Sequence, residues 1–419
     1  MVEKRSVKNM VNAVLEKVHN SENDSDYTFR IRTYNKVSSK GLDTFPLDTF
    51  EIASELDNSD AFILRSYKLH DETFPETLKA IGRAGAGVNN IPVDRCTQSG
   101  IVVFNTPGAN ANAVKELVIV GMLLSARDII GGIDYVKSIS SEGDTIPELV
   151  EKNKSRFKGT ELVGKKLGVV GLGAIGLQVA NAGLALGMDV QGYDPFISVN
   201  AAWELSSEVS RSGSLERLIR DCDYISVHVP FSEKTKGFIS SDRIQMFKKG
   251  AVLLNFSRNE LVDEDAMIEA LNQGKVANYV TDFPNPKLVD VDHVISIPHL
   301  GASTAEAEDN CAIMVSNQIK DFLLNGSIQN SVNFPASRLE RSTPYRITII
   351  NNNVPNIIAQ LTSVIAKADV NIAEMVNKSR DDIAYNIIDL DQQLDQEVID
   401  NLLAIEGVIR VRQLPTVSI

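Results

Sequence analysis

The residues best placed to do chemistry are a glycine triplet and an acid that follows it. Gly171, Gly173 and Gly176 spell G-x-G-x-x-G directly after a β-rich run at 165–170. Residues 177–186 then carry helical apolar spacing, and 188–193 return to strand. The three glycines serve a tight turn, room for a pyrophosphate against bare backbone, and close packing of helix on strand. The helix start adds N–H groups and a positive dipole end for phosphate, which makes Ala174 and Ile175 part of the expected cradle. Asp194 ends the second strand about eighteen residues beyond Gly176, close to the roughly twenty expected for the acid that binds ribose hydroxyls. That carboxylate would repel a 2′-phosphate, and no Arg or Lys follows within several residues, so NAD is expected over NADP. Three further polar residues, Arg258, Asp282 and His299, fall at the carboxyl ends of predicted strands, where a doubly wound sheet places its ligands.

These residues must be positioned by a chain of 419 residues, long enough for several domains. It is 43% hydrophobic and 23% charged, an ordinary globular composition. The net charge of −13 argues against nucleic acid or an acidic membrane surface as partner. Cys96, Cys222 and Cys311 are odd in number and scattered, forming neither a disulfide framework nor a metal spacing, so no metal is expected and a reducing cytoplasm is the default. No apolar run approaches the ~20 residues of a membrane span. The first residues lack an apolar signal core; Val7, Met10, Val11, Val14, Leu15 and Val18 suit an amphipathic helix, with a polar linker at 19–26.

Strands are predicted at 28–35, 61–65 and 101–105, and Arg65, Ser66 and Lys68 follow the end of the second. A glycine-bearing turn at 85–92 precedes the third, and T-P-G-A-N-A-N-A follows it. A long apolar helix at 112–130 then leads to the central domain through a polar stretch at 131–164, where Lys152, Lys154, Arg156 and Lys158 read as a solvated loop or as an anion contact. Strands at 224–229, 251–256, 278–281 and 294–297, with a helix at 263–272, complete an expected six-stranded doubly wound parallel sheet. A helix at 305–324 follows His299. The last part has its own pattern: strands at 345–350, 372–377, 384–389 and 408–414 with helices at 357–368 and 398–403, a ferredoxin-like βαββαβ unit.

Taken together, R-S-Y-K, G-A-G-V-N-N-I-P, N-T-P-G-A-N-A-N-A-V-K-E, G-L-G-A-I-G with Asp194, N-F-S-R, T-D-F-P and P-H-L-G-A-S-T resemble the D-isomer-specific 2-hydroxyacid dehydrogenases, in the branch that ends in an ACT regulatory domain. The resemblance implies an α/β chain of three domains. A flavodoxin-like substrate domain would take 1–109 and 300–335, an NAD-binding Rossmann domain 110–299, and an ACT domain 344–419. It implies a cytoplasmic homodimer or homotetramer that oxidises D-3-phosphoglycerate to 3-phosphooxypyruvate, the opening step of L-serine biosynthesis. Other D-2-hydroxyacid dehydrogenases, such as hydroxypyruvate reductases, and a non-catalytic NAD sensor are the alternatives.

The resemblance assigns Arg258 to the substrate carboxylate and keto oxygen, which suits a planar fork that binds bidentately. It assigns His299 the role of general acid/base, which suits an imidazole whose ordinary pKa lies near working pH. It implies that His228, Val229, Pro230, Thr235, Asn255, Ser257, Asp282 and Gly301 line the cofactor. Arg65, Ser66 and Lys68 would meet the substrate phosphate, with Ala86, Gly87, Asn90 and Asn110 at the carboxylate end. Asn351, Asn353 and Asn371 match effector-contacting positions for L-serine, although Pro355-Asn356 stands where the family usually has Pro-Gly. A glutamate usually pairs with the histidine, and that position is Pro286 here. Asp282, Asp290, a water or an unpaired histidine are the possible substitutes.

Overall fold

The computed structural model describes residues 29–417; the expected N-terminal amphipathic helix and linker lie outside the described residues. The chain forms two compact units. Among the described residues, one holds Ala84–Gly87 and Asn105–Met314, and the other holds residues 29–83, Val88–Phe104 and residues 315–417.

In the second of these, β1 (Phe29–Tyr34), β2 (Phe50–Ala53), β3 (Ala61–Leu64), β4 (Ala80–Arg83) and β5 (Val102–Phe104) form a parallel sheet in the order β2-β1-β3-β4-β5. β3 and β5 are buried throughout, the unbroken apolar run that a parallel strand covered on both faces needs. β2 and β4 escape a reading by pattern because F-E-I-A alternates weakly at an edge and A-I-G-R is short. Gly82 admits the helix Ala305–Asn325 onto this sheet, since a Cβ there would lie 2.4 Å from Val315 Cγ2.

The other unit is built on β6 (Lys166–Val170), β7 (Asp189–Tyr193), β8 (Ser210–Arg211), β9 (Tyr224–Val227), β10 (Ala251–Asn255), β11 (Val276–Thr281) and β12 (Val294–Ser296). All pair in parallel, in the order β12-β11-β10-β9-β6-β7-β8. The sheet has seven strands rather than the expected six because two residues at Ser210–Arg211 pair with β7. The direction of strand addition reverses at β6, so the crevice beyond its carboxyl end is the natural ligand position. One face buries Ile225, Leu253 and Tyr279 with Leu218 and Met267; the other buries Leu167, Val169 and Leu254 with Val118 and Val179.

Two expectations for the connecting stretch are corrected. The helix expected over 112–130 runs Ala111–Ala126 and stops at Arg127, whose backbone is extended. Asp128 then accepts from the Gly131 N–H and caps a second helix, Ile129–Ser138. The polar stretch that follows is mostly helical, and the cluster from Lys152 to Lys158 that could read as a solvated loop spans the end of a helix: Ile146–Asn153, with proline in its first turn, is flanked by 3₁₀ turns at Ser140–Thr145 and Lys154–Phe157. At ten and eight residues, helices Ile129–Ser138 and Ile146–Asn153 offer few turns over which a period can show. Among the described residues no helix is long and apolar enough to cross a membrane.

The C-terminal sheet belongs to the same unit as β1 to β5. β13 (Tyr345–Asn352), β14 (Ile372–Arg380), β15 (Ile383–Leu390) and β16 (Val408–Gln413) are antiparallel in the order β14-β15-β13-β16, with helices Ile357–Lys367 and Gln396–Leu403 between them, the expected βαββαβ order. Every residue of β15 is buried, so both faces of the sheet are covered. The helices take one face through Leu361, Ile365 and Leu402. Toward the end of helix Ala305–Asn325, the Tyr385 hydroxyl donates to Gly326 O at 2.7 Å and Arg412 stacks 4.4 Å from the Phe322 ring. Arg410 donates to the Leu78 carbonyl, which ties β16 to the first sheet.

The strongest polar tie here is Arg346 with Asp389, both side chains fully buried. Nε and Nη2 of Arg346 reach the two carboxylate oxygens at 2.5 and 2.9 Å, while Nη1 donates to Asn325 O and Leu339 O, each at 3.0 Å. The Ser342 N–H and hydroxyl also donate to Asp389 Oδ2. Burial alone would raise the Asp389 carboxyl, but the bonds and charge of Arg346, with Ser342, outweigh it and hold the group below its ordinary value. A carboxyl depressed on folding stabilises above the ordinary carboxylate range and loses that stabilisation as pH falls through it. Asp389→Asn, which leaves the buried guanidinium without its countercharge, is expected to cost about 3–5 kcal/mol at neutral pH. Urea unfolding between pH 7 and pH 3 should show the gap between variant and parent shrinking as pH falls; a gap that widens toward acid contradicts the assignment.

Candidate active site

A dinucleotide must first be seated, and the glycine turn can be tested for that. Gly171 has φ of 89°, and a Cβ on it would lie 2.6 Å from His228 O. A Cβ on Gly176 would lie 1.9 Å from Gly171 O, so only glycine allows the helix this close to the strand. Gly173 differs: it has an ordinary negative φ and nothing stands within 4 Å of a Cβ. No side chain caps the helix Ala174–Ala185 behind it. Uncapped N–H groups facing open space fit the pyrophosphate of NAD. Asp194 is fixed by accepting from the Leu172 N–H and the Phe196 N–H, each at 2.8 Å, and each oxygen keeps a lone pair for a ribose hydroxyl. Gly108 of the T-P-G loop would bring a Cβ to 3.1 Å from the Ala174 Cβ, so that loop lies against the same helix start, and Asn110 after it precedes helix Ala111–Ala126.

The segment after β9 closes the turn from the other side. The His228 N–H donates to Val170 O at 2.7 Å, and Val229 Cγ1 lies 3.2 Å from a Cβ placed on Gly171. Burial pushes the His228 imidazole down to about 3, so the ring is neutral near pH 7; its Nε2 lies 2.8 Å from the Ser226 hydroxyl. The Thr235 hydroxyl is spent on its own loop, donating to Pro230 O at 2.8 Å.

Arg258, Asp282 and His299 follow β10, β11 and β12, which are consecutive neighbours in the sheet. Asp282 is the buried centre, only 1% exposed. Its Oδ2 accepts from the Gly301 N–H at 3.1 Å, which commits that N–H to the protein, and its Oδ1 has no hydrogen-bond partner. Burial raises the Asp282 carboxyl, while the Gly301 bond and the charges of His299 and Arg258 oppose the rise. The His299 N–H donates to Asp282 O at 3.0 Å, and its φ of 42° is uncommon for a residue with a side chain. This backbone presents an exposed imidazole, with the Phe283 ring centroid 5.0 Å away. Strain of this kind costs of order 1–3 kcal/mol and gathers at functional positions.

Arg258 sits on a bracket. The Asn255 amide accepts from the Ser257 N–H at 3.2 Å and donates to Arg258 O at 2.8 Å, while the Ser257 hydroxyl donates to Val227 O at 2.8 Å. Asn255 and Ser257 therefore turn their side-chain groups toward protein. The loop carrying Pro286 is held by its own anchors: Asn285 donates to Glu264 Oε1 at 2.6 Å and Lys287 to Asp265 at 2.8 Å. Asp290 is exposed beyond it, which leaves Asp282 as the acid whose charge couples to His299.

In the other unit, Arg65, Ser66 and Lys68 share one loop after β3. Arg83 donates to Arg65 O at 3.0 Å, and Asn90 to Tyr67 O at 2.7 Å, so Asn90 braces this loop through its amide. Ala86 and Gly87 fall in the glycine-sheet unit, where Asn105 donates to the Ala86 carbonyl at 2.6 Å. The three effector candidates do not converge within one copy. Asn351 is buried and accepts from Asn386 at 2.7 Å, and Asn353 donates to Asp381 O at 3.1 Å near the β14–β15 turn. Asn371 precedes β14 at the opposite end of the sheet, where Ile372 pairs with Leu390. Asn356 has φ of 68°, the left-handed backbone that favours glycine at this position.

Comparison with known proteins fits this geometry. Residues 120–301 match the family model described as D-isomer specific 2-hydroxyacid dehydrogenase, NAD binding domain. The D-3-phosphoglycerate dehydrogenase of Haemophilus influenzae is 33% identical over 349 residues, spanning 80% of this chain and 81% of that protein. The chain belongs to the D-isomer-specific 2-hydroxyacid dehydrogenases, with NAD as their cofactor. The D-3-phosphoglycerate dehydrogenases of Methanocaldococcus jannaschii and Bacillus subtilis are 36% and 35% identical over 74% of this chain. The chain spans 59% of the length of each of those two. Among solved structures, the NAD⁺-bound 3-phosphoglycerate dehydrogenase of Entamoeba histolytica superposes with a TM-score of 0.56 at 26% identity, covering 73% of this chain and 99% of that one.

The open space at Gly173 yields a test that separates binding from folding. Gly173→Ala fits the backbone and touches nothing, so its melting temperature should match the parent, while its methyl group stands where the pyrophosphate would approach. NADH binding, followed by fluorescence, should weaken by about tenfold or more, or at least ~1.4 kcal/mol. An unchanged Kd would show that the diphosphate sits elsewhere.

Proposed function

We propose that the protein oxidises D-3-phosphoglycerate to 3-phosphooxypyruvate with NAD, the first step of L-serine biosynthesis. The observation that carries this reading is the convergence of Arg258, Asp282 and His299 at three adjacent strand ends in the same sheet as the glycine turn. Identity to D-3-phosphoglycerate dehydrogenases supports the substrate.

In this reading the Arg258 guanidinium binds the substrate carboxylate and polarises the carbon–oxygen bond under attack. His299 accepts the hydroxyl proton as the C–O bond gains double-bond character. The bound nicotinamide supplies a hydride acceptor for the hydrogen leaving that carbon. Asp282 accepts the His299 N–H on its backbone carbonyl and so fixes the segment that carries the imidazole, while its side chain keeps one oxygen unpartnered. Arg65, Ser66 and Lys68 hold the phosphate, which an arginine fork and an ammonium suit.

We also assign the C-terminal βαββαβ domain to the ACT class, with L-serine as candidate effector, and the active form to a homodimer or homotetramer. Asn351 is buried and bonded to Asn386 and to Asn352 O, so serine could meet this side chain only through its remaining lone pair or N–H and only if it became accessible. Calorimetry with serine, paired with an inhibition assay, tests the effector: heat with loss of turnover supports it, and neither removes it.

The enzyme reading is tested by NADH absorbance with 3-phosphoglycerate, glycerate and lactate. Turnover should favour 3-phosphoglycerate, and His299→Ala should lower kcat by roughly 10²–10⁴. Equal rates on all three acids would remove the phosphate assignment, and full activity in His299→Ala would remove the general base.

A further inference from the structure

Resting on the reading that Arg258 and His299 carry the reaction, we infer that Tyr279 is a positioning residue whose hydroxyl holds both in one geometry. Tyr279 lies in the middle of β11 and is fully buried. A phenol hydroxyl in such a core is costly unless it is bonded, and a phenylalanine would fill nearly the same volume. The hydroxyl must therefore be read through what surrounds it: the amide that bonds it and the hydroxyl that neighbours it.

The first leads to Arg258. Asn255 Nδ2 lies 3.3 Å from the Tyr279 hydroxyl, and the same amide group donates to Arg258 O at 2.8 Å. Its Oδ1 accepts from the Ser257 N–H at 3.2 Å, so all of the Asn255 amide is engaged. An amide so engaged cannot turn without releasing the Arg258 backbone.

The second leads to His299. Thr281 stands two residues further along the same strand and face, its side chain near the Tyr279 hydroxyl, and Thr281 Oγ1 accepts from the Phe283 N–H at 3.2 Å. The Phe283 ring then lies against the His299 ring, with centroids 5.0 Å apart and planes at 57°. The Tyr279 hydroxyl thus stands between the amide that holds the backbone beneath the guanidinium and the threonine that anchors the segment whose ring flanks the imidazole. The parallel register makes this possible, because Leu253 pairs with Tyr279 and Asn255 with Thr281. Tyr279 and Thr281, two apart on one strand, point to the same face. Burial pushes the phenol up to about 12, so it remains protonated through the working range and acts by geometry, not by exchanging a proton.

The test uses the full chain with NAD and D-3-phosphoglycerate. Tyr279→Phe deletes only the hydroxyl, and Thr281→Val cuts the branch toward Phe283. Each should lower kcat/KM for the hydroxy acid by about tenfold, the scale of a slightly misplaced catalytic group. The KM for NAD should stay within about twofold, because the glycine turn is untouched. The double variant should be little worse than either single one, since both break the same relay. A merely structural role would instead raise both KM values together or give additive losses in the pair, and either result overturns the inference, as does Tyr279→Phe with parental kinetics. If Tyr279→Phe does not fold, Thr281→Val alone decides by the same KM comparison. Arg258→Ala and His299→Ala run alongside: if those two keep parental turnover, the underlying reading of the site has failed. If they lose turnover while Tyr279→Phe does not, only the inference has failed.

Discussion

The parallel pairing of β10, β11 and β12 is the constraint on which the rest of the site depends. Parallel strands end on the same side, so residues just past their carboxyl ends are brought together whatever the length of chain between them. Asn255 pairs with Thr281, and Thr281 with Ser296. A slip of one residue in either ladder would turn Asn255 or Thr281 to the opposite face and dismantle the support under Arg258. The buried apolar runs of β9 and β10 keep the register, because each is covered on both faces. Stability and chemistry are thus served by the same ladder: its middle is the core, and its ends are the site.

The glycine turn obeys the same logic at closer range. Gly171 and Gly176 are required by packing alone, since a Cβ at either would meet backbone oxygen. Gly173 is not, and its open surroundings are what separate a ligand cradle from a merely tight turn. In the other unit a buried guanidinium–carboxylate pair fastens the C-terminal sheet to the segment after helix Ala305–Asn325. The tie is specific because Arg346 satisfies backbone carbonyls on two neighbouring segments as well as Asp389.

Much of this was legible in the sequence where local order suffices. The strand–triplet–helix–strand–acid succession from Lys166 to Asp194 needs only neighbours in the chain, and so does the βαββαβ period after Tyr345. The placement of Arg258, Asp282 and His299 after strands was legible for the same reason. What escaped depends on particular bonds that a hydrophobic pattern does not display, some local and some between residues distant in the chain. β8 exists only because Ser210–Arg211 meets β7. The helix break at Arg127 comes from the Asp128 cap, which competes with an apolar run that would otherwise continue. Asn90 and Asn255 look like ligand-facing amides until their bonds to Tyr67 and Arg258 are traced. Asn371 could not be separated from Asn351 without the strand register that puts them at opposite ends of a sheet.

In the proposed reaction a hydride leaves the hydroxyl-bearing carbon of a small phosphorylated acid and reaches a nicotinamide seated on the glycine turn. Single-turnover mixing of the protein with NAD and D-3-phosphoglycerate deuterated at that carbon tests it directly. The deuterium is expected on the reduced nicotinamide ring, one per NADH formed, with a transfer step slower than with the protiated acid. Reduced nicotinamide lacking the label, or no reduction at all with the intact protein, would contradict it.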